Sequence, residues 1–246
     1  MLLNKILKAV LLFLAVCYIV LQGKGLEIEA AGVSAFMLVL LTALYCIVVV
    51  DKRKYFFMFL VLFAIAQVIS FITWFIPKSA TELSTYIYYL VNIFFIVSYL
   101  FLIINILREL SFKLMLSKFV VPIIVLFVLD VFCVVVVSST TETVLSSYEY
   151  VLEFVYNMVV MVLLSAALIN YMYRNDNKSM LYLMASICVV FSEIIQLAYY
   201  YILKENNLGL IYSSFLVLAF LLFYLQSRLK FTGPVTSYFD NQKIES

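Results

Sequence analysis

Eight unbroken apolar stretches of about 17–25 residues, parted by short polar breaks, dominate this chain. That is the length an α-helix needs to cross a hydrocarbon layer roughly 30 Å thick. In lipid the backbone N–H and C=O groups have no water to pair with, so only helices or closed barrels can span it. Barrel strands would alternate apolar and polar residues over roughly ten positions, whereas these runs are continuous. Composition agrees: 67% of the 246 residues are hydrophobic, 12% are charged and mean hydropathy is +1.15, while soluble domains run nearer half apolar. The chain reads as an all-α polytopic membrane protein, a bundle of eight transmembrane helices near 5–22, 32–50, 55–76, 84–107, 118–137, 150–173, 179–203 and 209–227, followed by a polar cytoplasmic tail over 228–246. The opening MLLNKILKAVLLFLAVCYIVLQGKG has lysines before an apolar run but no small-residue cleavage site, so it reads as an uncleaved first span.

Lysine and arginine fix the expected orientation. Thirteen of the sixteen fall at one side of the alternating loops, and only Lys24, Lys78 and Lys204 fall at the other. Both termini are therefore expected on the cytoplasmic side, with an inner bacterial membrane as the expected location. Trp74, Tyr86, Tyr148, Tyr150 and Tyr199 to Tyr201 then lie near the outer surface as an aromatic belt.

Several chemistries are excluded by what is missing. There is no histidine, which removes the commonest metal ligand and every Ser-His or Cys-His arrangement. Cys17, Cys46, Cys133 and Cys188 are scattered singly in apolar runs and read as small packing residues. Five glycines form no phosphate-cradling loop, and a net charge of +2 gives nucleic acid no footprint. No cofactor and no metal are expected.

Against this background the polar residues inside the spans stand out. Glu193 sits in VVFSEIIQLAYYY, fourteen residues from the start of its span. Asp130 and Gln67 are each twelve residues into theirs. At helical rise these depths are roughly 18–21 Å, in the outer half of the membrane. Asn92 and Asn157 come down eight and seven residues from the other side, and Gln196 follows Glu193 by three, on its face. A charge facing lipid at such depth costs at least about 2.5–3.5 kcal/mol. These groups are therefore expected to share one inward-facing polar pocket. Asn and Gln also link membrane helices without any chemistry, and Glu153, one turn above Asn157, reads as an interface residue. A short echo, DK at 51–52 and NK at 177–178 each fifteen residues before Gln67 or Glu193, is compatible with two parallel four-helix repeats.

The layout of eight spans, short loops and cytoplasmic termini resembles the YhhN family, the lysoplasmalogenase-type membrane proteins. In span 7, ASICVVFSEII has Phe191 and Ser192, the Phe nearer the Ser than in the family's Phe-x-x-Ser-Asp motif, with Glu193 where that motif has aspartate. Span 6 has Tyr156, Met161 and Ala166 in place of a similar family series. In span 3, Ala66-Gln67 stands at the Gly-Asp position, and the family's Lys-Pro before span 2 is replaced by EIEAAG. The resemblance implies hydrolysis of the vinyl ether of a lysophospholipid-like membrane lipid, releasing a fatty aldehyde. That reaction needs one carboxyl to protonate carbon and another, ionised, to steady the cation or guide water. On this reading Glu193 is the acid/base and Asp130 its partner, because Gln67 cannot exchange a proton. Gln67, Asn92, Asn157, Gln196, Ser192 and Tyr156 would bind substrate. The alternative is a catalytically degenerate lipid-binding or scaffold protein, which Gln67 favours. A small-solute transporter ranks below both, since spans nearly free of glycine and proline offer no broken helices.

Overall fold

The computed structural model describes residues 2–77, 81–108, 110 and 118–229. Residues 78–80, 109 and 111–117 of the expected connectors, and the tail from residue 230, lie outside the described residues. The described residues form eight helices: α1 (Leu2–Gly23), α2 (Glu27–Val48), α3 (Lys54–Thr73), α4 (Thr81–Leu107), α5 (Val120–Ser139), α6 (Ser147–Arg174), α7 (Asn177–Tyr201) and α8 (Asn206–Ser227). Each is long and apolar enough to cross a membrane, and the protein is a multi-pass helical membrane protein.

Local sequence sets the helix ends. The α6–α7 turn is Asn175-Asp176. Asn175 closes α6 in the left-handed region at φ 49°, a conformation asparagine tolerates well. Asp176 then caps α7, its Oδ1 accepting from the Ser179 N–H at 2.8 Å and from the Ser179 hydroxyl at 2.6 Å. At the start of α6 the Ser146 N–H and hydroxyl both donate to Glu149 Oε2, at 3.0 and 2.7 Å. Helix α2 starts at Glu27, five residues before the expected 32, since Glu27 and Glu29 suit the positive end of a helix dipole.

The helices form a closed circuit of neighbours, α1–α2–α3–α4–α6–α7–α8 and back to α1, while α5 packs chiefly on α6. The two halves are thus not packed equivalently: α1 has two principal neighbours and α5 has one. Only 6% of the α5 span is buried, against 50% for α6.

Lipid tails are as apolar as leucine, so helix association here rests on close packing and interhelical hydrogen bonds. Small residues make this possible between α7 and α8, the most extensive pair. Ala185, Ser186, Ser192, Ser213 and Ala219 are all fully buried. Near the α7–α8 turn, α8 also meets α1: a Cβ on Gly209 would lie 2.8 Å from the Gln22 carbonyl oxygen. Since that neighbour is backbone, Gly209→Ala is expected to cost about 1–3 kcal/mol, read as a lower unfolding midpoint in detergent.

Across the middle, α3, α4 and α8 meet through aromatic rings. Phe59, 0% exposed, has ring centroids of Phe56, Phe63, Tyr99, Phe220 and Phe223 within 5.5–6.3 Å. Phe63 adds Phe95 and Phe220, each at 4.8 Å. The end of the bundle opposite the chain termini is tied by Glu27, whose Oε1 accepts from Tyr199 at 2.8 Å and pairs with Lys204 Nζ at 3.1 Å. Tyr199 is thereby buried rather than part of a surface belt, while Trp74, Tyr86 and Tyr148 are exposed.

Candidate functional site

Directly above the aromatic core, toward that same end, lies a cavity of about 140 Å³. Five helices line it: Phe63 and Gln67 from α3, Tyr88, Asn92 and Phe95 from α4, Glu153, Tyr156 and Asn157 from α6, Glu193, Gln196, Leu197, Tyr200 and Tyr201 from α7, and Leu216 from α8. Helical spacing explains the convergence. Residues 88, 92, 95 and 99 form one stripe of α4; 193, 196, 197 and 200 form one of α7; 153, 156 and 157 form one of α6.

Glu193 is the best-held group. The Tyr99 hydroxyl donates to its Oε1 at 2.6 Å, and Tyr156 supplies a second side-chain hydrogen bond. Tyr99 is 1% exposed and its ring lies edge-on to Phe63, with centroids 5.7 Å apart. The packed rings therefore hold the hydroxyl that holds the carboxyl. Glu153 hydrogen-bonds Asn157, and the Asn157 amide also donates to Ser138 Oγ at 3.2 Å, linking α6 to the end of α5. Asn92 donates back to the Tyr88 carbonyl at 2.8 Å, and the hydroxyls of Tyr88 and Tyr201 pair.

Of the eight residues singled out in the sequence, six meet here: Glu193, Gln67, Asn92, Asn157, Gln196 and Tyr156. The other two do not. Ser192 is fully buried and donates to the Tyr212 carbonyl at 2.9 Å, where it ties α7 to α8. Asp130 is not among the lining residues; its Oδ2 accepts from Ser165 at 2.7 Å. Ser165 is eight residues beyond Asn157, about 12 Å further along α6. The expected depth of Asp130 assumed that α5 runs level with its neighbours, but α5 rests outside the circuit and offset along α6. The second carboxyl in the cavity is instead Glu153, read from the sequence as an interface residue.

Tyr99 was the residue the sequence did not single out. Its signal was available: it stands seven positions after Asn92, two turns along the same face. In a chain with nineteen tyrosines, that spacing does not stand out.

Chemically, the cavity offers two carboxyls, four amides and several phenols, with no Lys or Arg among its lining residues. It can donate and accept protons or hydrogen bonds, and it would attract a cationic group. No cluster of three His, Cys, Asp or Glu able to hold a metal occurs among the described residues. Its volume equals four or five waters at roughly 30 Å³ each, below the roughly 300–1,000 Å³ of pockets that enclose whole drug-sized ligands. Comparisons with protein-family models, with curated proteins and with solved structures find no match. What fold and site define, among the described residues, is a membrane protein of eight spanning helices with a polar cavity centred on Glu193.

Proposed function

We propose that the cavity takes the vinyl ether segment of a single-chain, lysoplasmalogen-like lipid and hydrolyses it, as the resemblance to lysoplasmalogenase-type proteins implies. The observation that carries this reading is the presence of two carboxyls, Glu193 and Glu153, in one polar cavity within the span region. Glu193, protonated, would deliver its proton to the outer vinyl carbon, leaving an oxocarbenium ion. Glu153, ionised, would take a proton from the water that adds to it. The hemiacetal then collapses to a fatty aldehyde and the free glycerol hydroxyl, and the proton passes back to Glu193. The small volume supports a fit to a short polar segment and one water, with the acyl-like chain lying outside. The charge bias of the loops supports cytoplasmic termini, which would put the cavity in the outer leaflet half of an inner bacterial membrane.

The test is aldehyde release from a lysoplasmalogen by the purified protein in vesicles. Glu153→Gln is expected to slow release by at least tenfold, while Asp130→Asn leaves the rate within about twofold, since Asp130 contacts Ser165 and not the cavity. Equal losses in both variants would return Asp130 to the mechanism. A second reading, lipid binding without cleavage, is favoured by Gln67 at the position where the resemblance expects an acid. The cavity would then hold an ammonium-bearing headgroup against its carboxyls. Lipid bound by the wild type with no aldehyde formed would select it.

A further inference from the structure

A second, larger cavity shares no lining residue with the first and runs toward the end of the bundle where α1 begins and α8 ends. Its volume is about 320 Å³, and it is lined by α1, α2 and α8. Each helix contributes one stripe: Lys8, Leu11, Leu12 and Ala15 on α1; Met37, Leu41 and Leu44 on α2; Val217, Phe220, Leu221, Tyr224, Leu225 and Arg228 on α8. The slot is apolar along its length and basic at one end only. Lys8 and Arg228 stand at the mouth, and no acidic residue lines it. From Val217 to Arg228 is about 16 Å of helix, about half of a hydrocarbon layer roughly 30 Å thick.

One further group points to an occupant. Tyr224, one turn from Arg228 on the same face, is 7% exposed, and its buried hydroxyl has no hydrogen-bond partner among the described residues. A buried donor left unmet is costly, and apolar neighbours cannot meet it. We propose that this slot seats one acyl chain of an anionic phospholipid, with the headgroup phosphate between Lys8 and Arg228 and a glycerol-ester or phosphate oxygen accepting from Tyr224. Bulk hydrocarbon could fill the length of the slot but would leave the tyrosine hydroxyl unmet and would make no use of the two exposed cations at its mouth. Basic pockets between membrane helices bind anionic headgroups in this way. The bound lipid is structural, clasping α1 to α8, and is independent of any chemistry at Glu193.

The experiment is native mass spectrometry of the full chain released from bilayers of phosphatidylglycerol and phosphatidylcholine with identical acyl chains. Two cations at about fivefold each predict a preference of about 25-fold for the anionic lipid in the wild type. Lys8→Gln with Arg228→Gln is expected to bring the ratio near one. Tyr224→Phe should lower it by a few-fold, and Ala15→Phe, which fills the slot, should remove tight retention with both charges still in place. Equal retention of the two lipids by the wild type, or an unchanged preference in the charge-neutral variant, would overturn the proposal and leave the slot to bulk lipid or to the chain's own C-terminal residues.

Discussion

Glu193→Gln is expected to lower aldehyde release by about 10²–10⁴-fold, the range assigned to a positioned proton donor. The substitution preserves shape. An amide oxygen at Oε1 can still accept from Tyr99, now bonded at 2.6 Å, so the packing beneath the cavity has no reason to move. What disappears is the exchangeable proton. The informative measurement is therefore kcat beside the unfolding midpoint: turnover collapses while the midpoint stays within about a degree or two. If the variant kept a tenth or more of the wild-type rate, Glu193 would be a packing residue and the assignment of acid would fall. Tyr99→Phe provides the graded comparison. It removes one of two donors to the carboxyl and should cost less than the loss of the carboxyl itself.

The largest effect on stability is expected from Phe59→Ala, at about 3–5 kcal/mol. Phe59 is 0% exposed and touches rings from α3, α4 and α8. In lipid there is little hydrophobic gain from burying a ring, so its contribution comes from contact density and ring geometry. Removing it leaves a cavity bounded by Phe56, Phe63, Phe220 and Phe223 that lipid cannot enter from outside. Unfolding of the purified protein in mixed micelles measures the loss. A conservative Phe59→Leu should recover part of it, and a change below about 1 kcal/mol for Phe59→Ala would show that the three helices are held by other seams. Because Tyr99 rests on this ring, with centroids 6.3 Å apart, the hydrogen bond to Glu193 is expected to loosen in the same variant.

Much of this architecture was legible because lipid imposes few solutions. Apolar runs of spanning length are visible without any knowledge of tertiary contacts, and polar side chains within them must find one another. Gln67, Asn92, Asn157, Gln196 and Glu193 could therefore be assigned to one pocket from depth alone. Depth failed for Asp130, because counting residues from a span's start ignores how far one helix slides along another. It failed differently for Ser192, where a hydroxyl found a backbone carbonyl in its own seam and needed no shared pocket. Helix order was not legible at all. Nothing in the spacing of the runs shows that α4 abuts α6 and that α5 is left outside, since that choice depends on which faces interlock. The echo between Gln67 and Glu193 did correspond to proximity, as both line the cavity, although the helices around them have unequal neighbours.

That outlying helix has a mechanical consequence. A closed seven-member hoop keeps every joint when α5 swings aside, so such a movement strains chiefly the α6 seam, including the Asn157–Ser138 and Ser165–Asp130 bonds. Behind those bonds, Cys133, Val134 and Val137 face Val190, Glu193 and Ile194 across a crevice of about 10 Å³. The side of Glu193 that faces α5 is thus covered by a member whose displacement leaves the hoop intact.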